Sequence, residues 1–420
     1  MDEGGAACSD AAAAVELQGE TMALAFDGIR VIDFTQVLAG PFATQQLAML
    51  GADVIKVEQP GVGDQTRQRL SADDPSSGIT PTFLTCNVGK RSLTLDLKHP
   101  RAVDIVRRLV ASADAVVENF RPGVMGRLGF DYEACRAIKS DIVYCSISGY
   151  GQAGPKSGVA AYDGAVQADS GMMSITGSPE SGPMRTGYMP VDMASALNAA
   201  FAISAALFRR MATGEGQHLD VAMMDTAVVM QAVQFARFFD TAEQPPLFGN
   251  RSPTGQPTAN VFRTSDGFLQ VLALRQSQAE KLFAVLGCPH QLEQPAFATP
   301  ESREENYDEV VAFIGSVLAE RSTEASYRAL REAGVPVSEI RSYADVHSDP
   351  QFEHRHVFVD SVSPVDGTTA TVIGTGYVAA TDTPRIGRPA PNLGEHTEMI
   401  LSELEFTDAE ISELRSSGAL

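Results

Sequence analysis

The chain has 420 residues, of which 44% are hydrophobic, so it is too long for one ordinary hydrophobic core and two domains are expected. The formal net charge of −21 argues against nucleic-acid binding, which needs clustered Lys and Arg side chains. An acidic surface also keeps a protein in solution.

The first 24 residues have acidic flanks and no apolar core of signal-peptide length, which predicts a flexible tail over 1–24 and no secretory signal. The five cysteines include no Cys-x-x-Cys pair and fit a reducing compartment, so we predict a cytoplasmic protein without disulfides. An apolar run at 193–208 is shorter than a membrane span and contains Asn198. This run predicts a well-buried helix, and no membrane association is expected.

Predicted strands and helices alternate through the first half of the chain. The motif Ala39-Gly40-Pro41 follows an apolar strand and opens a helix, as proline does at a first helical turn. A strand, a helix and a strand in about 30 residues form a βαβ unit, which predicts a parallel, Rossmann-like sheet. The strands are predicted at 29–35, 53–58, 92–97, 114–120 and 141–149, and the helices at 41–50 and 99–113.

The second half contains a smaller α/β pattern after Gln244-Pro245-Pro246. Two strand patterns joined by Ser265-Asp266-Gly267 predict a β-hairpin. The expected organisation is a large α/β domain built from 25–240 and 341–420, with a small α/β domain at 247–335 inserted between them. The remaining elements are a strand at 217–223 and helices at 225–239, 277–286, 304–320 and 323–333.

Two motifs could indicate a dinucleotide site and a metal site, but the residues around each motif do not favour that interpretation. The segment Gly149 to Gly154 matches G-x-G-x-x-G, but Pro155 follows it where a dinucleotide-binding fold has an apolar helix. The cluster His347, His354 and His356 shows no accompanying carboxylate pattern. We therefore predict neither an NAD site nor a metal site.

The acidic residue Asp192 directly precedes the apolar run 193–208. Unpaired amides and the helix dipole favour a carboxylate at a helix N-terminus and stabilise its charged form. Asp192 is therefore either a helix cap or a functional carboxylate.

The order Tyr-Asp-x-x-x-Gln-Ala from Tyr162, then Ser-Gly-Met-Met-Ser-Ile-Thr-Gly from Ser170, then Asp192 resembles the class III CoA-transferases, which include formyl-CoA transferase and carnitine CoA-transferase. The segment 384–404 is a hallmark of the same family, and the resemblance covers 26–420. It implies that Asp192 attacks an acyl-CoA thioester and passes CoA to a carboxylic acid through covalent aspartyl intermediates. A carboxylate nucleophile needs no partner base.

The resemblance also implies a set of CoA contacts, in which Arg and Lys pair with phosphates and an aromatic ring packs on adenine. It places a mobile glycine-rich loop over the intermediate, where this chain has Gly255 and Gln256; an ordinary turn is the alternative. No prosthetic group is expected, because the CoA thioester is a substrate. The implied contacts are Arg67, Lys90, Asn119, Phe120 and Arg127.

Two departures bear on the substrate. Formyl-CoA transferases carry glutamine where this chain has Leu38, and lysine where it has Ala160. We therefore expect a larger acyl group than formyl, with succinyl-CoA as a candidate donor. The alternatives are a 2-methylacyl-CoA racemase, in which a histidine base stands at the place of Tyr162, and a non-catalytic CoA-binding protein. Tyrosine is a poor base near pH 7.

Members of this family form interlocked homodimers, with the active site between the large domain of one subunit and the small domain of the other. The resemblance therefore implies a homodimer here. The identity of the donor and acceptor, and whether CoA moves between molecules or within one dicarboxylate, stay open.

Overall fold

The computed structural model of the chain describes residues 23–68 and 79–420. The predicted tail at 1–24 lies outside this part except for its last two residues. The strands are β1 Arg30–Asp33, β2 Asp53–Glu58, β3 Arg91–Thr94, β4 Ala115–Glu118, β5 Val143–Ser148, β6 Gly177–Ser178, β7 Gly182–Pro183, β8 Gln217–Ala222, β9 Ala259–Arg263, β10 Phe268–Leu272, β11 Val337–Glu339, β12 Phe358–Val362 and β13 Thr369–Ile373.

The helices follow the same chain order, with short 3₁₀ turns at Gln65–Arg67 and Pro289–Glu293. They are α1 Ala39–Met49, α2 Pro81–Asn87, α3 Ala102–Ser112, α4 Val124–Leu128, α5 Tyr132–Ile138, α6 Asp163–Asp169, α7 Met172–Ile175, α8 Pro190–Thr213, α9 Met223–Met230, α10 Ala232–Thr241, α11 Gln276–Val285, α12 Pro300–Glu305, α13 Tyr307–Ala319, α14 Thr323–Glu332, α15 Tyr343–His347, α16 Pro350–His354, α17 Thr397–Glu403 and α18 Asp408–Ser416.

The large sheet has six strands in the order β3-β2-β1-β4-β5-β8. Every neighbouring pair in it is parallel, which confirms the Rossmann-like sheet predicted from the sequence. The strand order reverses between β1 and β4, because the chain first builds outward from β1 to β3 and then continues on the other side. In open parallel sheets the crevice at such a reversal, at the carboxyl ends of the strands, is where ligands bind.

Helices cover both faces of this sheet. On one face α1 and α8 pack on each other and on the strands, with Ala43, Ala199 and Ile203 fully buried between them. On the other face α3 packs together with the C-terminal helices α17 and α18, through Leu401 and Leu414. The last residues of the chain therefore join the core of the N-terminal sheet.

A second, three-stranded antiparallel sheet has the order β11-β10-β9. The β9–β10 hairpin at Ser265-Asp266-Gly267 is confirmed, and Leu269, Phe283 and Ile314 form a separate core with the surrounding helices. The prediction of one continuous helix at 304–320 is wrong. The backbone of Asn306 leaves helical geometry, so α12 ends before this residue and α13 begins after it.

The helix predicted at 193–208 is present, but in the single chain it is only partly buried, not well buried as predicted. Helix α8 is longer than predicted, and side chains at helical spacing on one of its faces are exposed in the single chain: Leu197 at 53%, Phe201 at 72% and Phe208 at 75%. The helix predicted at 225–239 is likewise interrupted at Gln231, and the second part, α10, buries none of its residues. The apolar surface of α8 and α10 is thus larger than the area that the rest of a single chain covers.

Among the described residues, α8 is also the one helix that is long and apolar enough to cross a membrane by length and composition alone. In the fold, 44% of its most apolar 18-residue window is buried, and a core helix passes the same test. Its packing on α1 and the sheet favours the core interpretation.

Gly216 lies where β8 joins the sheet beside β5. A Cβ added at this position would lie 2.1 Å from the carbonyl oxygen of Ile142 and 2.4 Å from the carbonyl carbon of Asp141. Because these backbone atoms lead directly into β5 and cannot move aside freely, we expect Gly216→Ala to lower the free energy of unfolding by about 1–3 kcal/mol. Gly376→Ala, with open space around the added Cβ, is the matched control. Urea unfolding of both variants checks this, and equal midpoints would contradict it.

Candidate active site

A cavity of about 270 Å³ lies at the carboxyl edge of the large sheet, at the reversal of strand order. Its walls come from the segments that follow β1, β4 and β5 and from the first turn of α8, so residues far apart in sequence meet there. The lining includes Gln36, Val37, Leu38, Asn119, Phe120, Arg121, Ser148, Gly149, Tyr162 and Asp192. Three predicted site residues in addition to Asp192 and Tyr162 are thus brought together: Leu38, Asn119 and Phe120.

The half-buried Asp192 is the third residue of α8, but it does not cap the helix. The backbone N–H groups of Val191 and Asp192 donate to Asp163 Oδ2, at 2.8 and 3.1 Å. The carboxylate of Asp192 accepts no hydrogen bond from any described residue. The helix-cap interpretation of Asp192 is therefore wrong, because a different aspartate, which sequence reasoning missed, occupies the helix N-terminus.

Asp163 is itself held in place by a buried network. Its side chain is 5% exposed and accepts a hydrogen bond from Gln167 Nε2. Gln167 Oε1 in turn accepts from the backbone N–H of Thr186 at 3.0 Å, in the segment that leads into α8. This arrangement fixes both the start of α8 and the position of Asp192.

Burial first, and then the negative charge of Asp163, raise the pKa of Asp192 to about 6. The sequence predicted that the amides at the helix N-terminus stabilise the charged form of Asp192. This prediction is wrong, because these amides donate to Asp163 instead. At neutral pH Asp192 is still mostly ionised. It carries an anion that is poorly solvated and has no hydrogen-bond donor, which suits a nucleophile.

The cavity wall beside Leu38 contains a strained residue. Val37 has φ 72, a left-handed conformation that is costly for a β-branched side chain. Its N–H group donates to both carboxylate oxygens of Asp64, at 3.2 and 3.3 Å. Asp64 also pairs with Lys56 at 2.9 Å, and both side chains are fully buried. Burial opposes the ammonium charge, but Asp64 and Asp33 outweigh it and raise the pKa of Lys56, so the pair stays ionised.

Asn119 connects the two halves of the sheet. Its Nδ2 donates to the carbonyl oxygen of Gln36 at 2.7 Å, and its Oδ1 accepts from the N–H of Gln36 at 2.8 Å. This paired bond ties the segment after β4 to the segment after β1 across the crevice. Asn119 therefore shapes the cavity through contacts with the backbone of Gln36, a function that its place within a predicted strand could not reveal.

A second cavity of about 480 Å³ continues the crevice, since Gln36 and Phe120 line both. Arg127, one of the predicted CoA contacts, lines this second cavity together with Lys98. Lys98 was missed in the sequence, although a basic residue directly after a predicted strand is a usable signal for this edge of a sheet. Phe120 lines both this cavity and the one that contains Asp192.

The two other predicted phosphate contacts lie in the interior. Lys90 is fully buried, and its Nζ bonds Asp33 at 2.9 Å, Pro41 O at 2.8 Å and Asn87 Oδ1 at 2.8 Å. These three bonds use every donor of the ammonium group. In this arrangement Lys90 offers nothing to a phosphate.

Arg67 is similarly occupied. Its guanidinium forms a bidentate pair with Glu58, at 2.7 Å for each bond, donates to Pro391 O at 3.0 Å and lies 3.8 Å from the ring centroid of Phe83. A contact of Arg67 or Lys90 with CoA stays a prediction, and the burial of both argues against it.

Gly255 and Gln256 do not line the cavity. Gln256 is 8% exposed and donates to Pro300 O at 3.2 Å, next to the small domain's own helices. Tyr162 does line the cavity, with 73% of its surface exposed. Within the described ranges, 23–68 and 79–420, no group of three or more His, Cys, Asp or Glu side chains is placed to hold a metal ion.

The raised pKa of Asp192 gives a direct prediction. Carbodiimide labelling requires a protonated carboxyl group, so labelling of Asp192 should rise as the pH falls, with a midpoint near 6. Asp163→Asn keeps an acceptor for the helix amides but removes the charge, and should move this midpoint to lower pH. Asp141, whose pKa Arg210 lowers against the effect of burial, is an internal reference. Peptide mass spectrometry measures both, and a shared midpoint near 4 would contradict the prediction.

The model of CoA-transferase family III matches residues 26–397 of the chain. The succinate–glutarate CoA-transferase of Agrobacterium fabrum is 37% identical over 90% of this chain and 95% of its own length. The formyl-CoA:oxalate CoA-transferase of Afipia carboxidovorans is 32% identical over 95% of this chain and 98% of its own. The crystal structure of a CAIB/BAIF family protein from Brucella suis superposes with a TM-score of 0.82 at 34% identity, covering 90% of this chain and 98% of that one. The chain therefore belongs to CoA-transferase family III, and it is a class III CoA-transferase.

Proposed function

We propose that Asp192 is the covalent nucleophile of this CoA-transferase. The observation that carries the proposal is a half-buried carboxylate, without a hydrogen bond from a described residue, in the wall of the cavity at the sheet's carboxyl edge. Asp192 Oδ attacks the thioester carbonyl, the C–S bond breaks, and CoA leaves as a thiolate. The product on the enzyme is a mixed anhydride.

The remaining steps exchange the same bonds. The CoA thiolate attacks the aspartyl carbonyl of the anhydride and releases the donor acid, which leaves an aspartyl-CoA thioester. The carboxylate of the acceptor acid attacks this thioester, and CoA leaves again as a thiolate. It then attacks the acceptor carbonyl of the new anhydride, which yields the product acyl-CoA and regenerates the Asp192 carboxylate. Every leaving group is a thiolate or a carboxylate, so no step requires a proton donor.

CoA lies along the crevice formed by the two cavities. Arg127 and Lys98 provide cations for its phosphates in the larger cavity, and Phe120 provides an aromatic surface between this region and Asp192. The thioester then reaches the smaller cavity. This arrangement requires no prosthetic group, because CoA itself carries the transferred acyl group.

The acyl group lies against Val37 and Leu38, which are apolar where formyl-CoA transferases have a glutamine at the second position. Relatives of similar length are a succinate–glutarate CoA-transferase and a succinyl-CoA:glutarate CoA-transferase from mouse, the latter 35% identical. We propose a short aliphatic acyl donor such as succinyl-CoA and an aliphatic carboxylic acid as acceptor, in the cytoplasm. Oxalate, which has no aliphatic carbon to contact Leu38, is disfavoured.

The functional unit is a homodimer. Large apolar side chains on α8 and α10 are exposed in the single chain, among them Phe201 at 72%, Val233 at 79% and Phe239 at 77%. So many exposed large apolar side chains on two helices are typical of a protein interface. Among the described residues, the walls of the smaller cavity come from the segment 36–223, and none comes from the small domain. A second copy would cover the exposed helices and supply the loop with Gly255 and Gln256.

Covalent catalysis predicts a trapped intermediate at Asp192. Hydroxylamine added during turnover should convert Asp192 to a hydroxamate, because both the anhydride and the aspartyl thioester are acylating agents. Asp192→Asn should abolish both labelling and transfer, with transfer falling by at least about 10³-fold, since an amide is not a nucleophile here. Transfer by the wild type should also fall as the pH drops below about 6, where Asp192 becomes protonated.

The matched control is Asp104→Asn, which changes an acid in the first turn of another helix, α3, outside both cavities. It should transfer CoA like the wild type. Near-wild-type transfer by Asp192→Asn, in protein shown by mass spectrometry not to have deamidated, would refute covalent catalysis at this residue.

The dimer predicts a solution mass of twice the 44.7 kDa chain, without dissociation at micromolar concentration. Phe201→Glu combined with Val233→Glu buries two charges in the proposed interface and should prevent assembly or cause precipitation. Phe268→Glu changes a side chain that is 48% exposed on the small sheet and should keep the wild-type mass. Light scattering measures all three, and a folded wild-type monomer would disprove the dimer.

A further inference from the structure

One cationic side chain shares the smaller cavity with Asp192. Among the described residues that line this cavity, Arg121 is the single Arg, Lys or His. Most other lining side chains are apolar, for example Leu38, Ile147 and Val159. The positively charged side chains of the crevice therefore lie in two different cavities. Arg127 and Lys98 line the larger cavity, and Arg121 lines the smaller cavity together with Asp192.

The backbone around Arg121 is anchored on both sides. Before it, Asn119 is bonded twice to Gln36, and the N–H of Phe120 donates to Glu118 Oε2 at 2.8 Å. After it, Pro122 restricts the chain, and the carbonyl oxygen of Arg121 accepts from the N–H of Val124 at 3.1 Å. The base of the Arg121 side chain is thus fixed relative to the cavity.

The guanidinium of Arg121, in contrast, has no ion pair or hydrogen bond within the described part of the chain. It also borders a neighbouring cavity of about 190 Å³, where Glu118 and Asp131 lie. Neither carboxylate pairs with it. Burial raises the pKa of Glu118 to about 7, whereas a paired guanidinium would hold it down. The charge of Arg121 is therefore available to a ligand.

We propose that Arg121 binds the distal carboxylate of a dicarboxylic acid, and so makes the enzyme selective for dicarboxylates over monocarboxylates. This rests on the proposed function, in which the acid reacts in the cavity of Asp192. One carboxyl group of the acid must lie at Asp192, and its short aliphatic chain contacts Leu38. The net charge of −21 repels a second carboxylate, so this group needs a positively charged side chain close to it.

Arginine suits this task, because its planar fork bonds both oxygens of a carboxylate. A guanidinium in the same cavity as Asp192 would also fix the orientation of the bound acid, so that its other carboxylate is presented to the aspartyl intermediate. The same contact serves the donor when it is the CoA thioester of a dicarboxylic acid, since donor and acceptor occupy the cavity in turn. Arg121 is in this sense a specificity-determining residue and not part of the bond-making chemistry.

The test compares acids of equal carbon number that differ by one carboxylate: glutarate against pentanoate, and succinate against butyrate, each with the same acyl-CoA donor. In Arg121→Gln the ratio of kcat/KM for the dicarboxylate to that for the monocarboxylate should fall by about 10–100-fold, the range expected for a lost charge-assisted pair. Arg121→Lys should retain part of the preference. The pairs are chosen so that loss of folding, which lowers both rates equally, leaves the ratio unchanged.

Two controls separate the alternatives. Arg107→Gln removes an exposed arginine of α3 that has no bonded partner among the described residues, and should leave the ratio at its wild-type value. Arg127→Gln should raise KM for the acyl-CoA with either acid, which is the signature of phosphate recognition.

An unchanged ratio in Arg121→Gln, or a rise in KM for acyl-CoA that is equal for both classes of acid, would overturn the proposal. The latter result would assign Arg121 to CoA. Failure of the covalent mechanism would be seen separately, as absence of the Asp192 hydroxamate from wild-type enzyme that still discriminates between the acids.

Discussion

Two fully buried ion pairs, Lys56 with Asp64 and Lys90 with Asp33, lie directly beneath the loop that forms one wall of the cavity. Removing one partner of such a pair leaves an uncompensated charge in the interior and costs about 3–5 kcal/mol. The pairs do more than neutralise each other. Asp64 accepts the N–H of Val37, and Lys90 bonds the carbonyl oxygen of Pro41, so the backbone between β1 and α1 is held by charged groups at several points.

This anchoring explains how a valine can hold a left-handed backbone at the cavity. A conformation that costs of order 1–3 kcal/mol persists only where its surroundings determine it. Close packing at Gly40 also restricts this segment, because an added Cβ there would lie 2.3 Å from the Cβ of Thr35. The Ala-Gly-Pro turn is thus required by the approach of α1 to the end of β1. Strain, buried charge and packing together position Leu38 in the cavity.

Two carboxylates near the start of α8 have different functions because their surroundings differ. Asp163 accepts hydrogen bonds from the first amides of α8 and from Gln167, whereas the Asp192 carboxylate, in the first turn of α8, accepts none from a described residue. Asp163 thereby fixes the start of α8, and Asp192 retains a raised pKa. The cations of the crevice are also separated: Lys98 and Arg127 line the larger cavity, and Arg121 lines the cavity that contains Asp192. An acidic protein can in this way bind two anionic substrates in one groove.

The sequence by itself determined the βαβ pattern and the parallel sheet, with β2 at the predicted residues. These features depend on local periodicity, on turn residues and on motif order. It did not determine that Lys90 is consumed by Asp33, because the two residues are 57 positions apart and a motif does not show which donors are already bonded. The exposed face of α8 was missed for a related reason: a helix that is apolar on all sides predicts burial, but the sheet of one chain covers only one face. Tertiary structure alone decided which carboxylate caps α8 and which faces the cavity, since that choice depends on how α6 packs beside α8 in space.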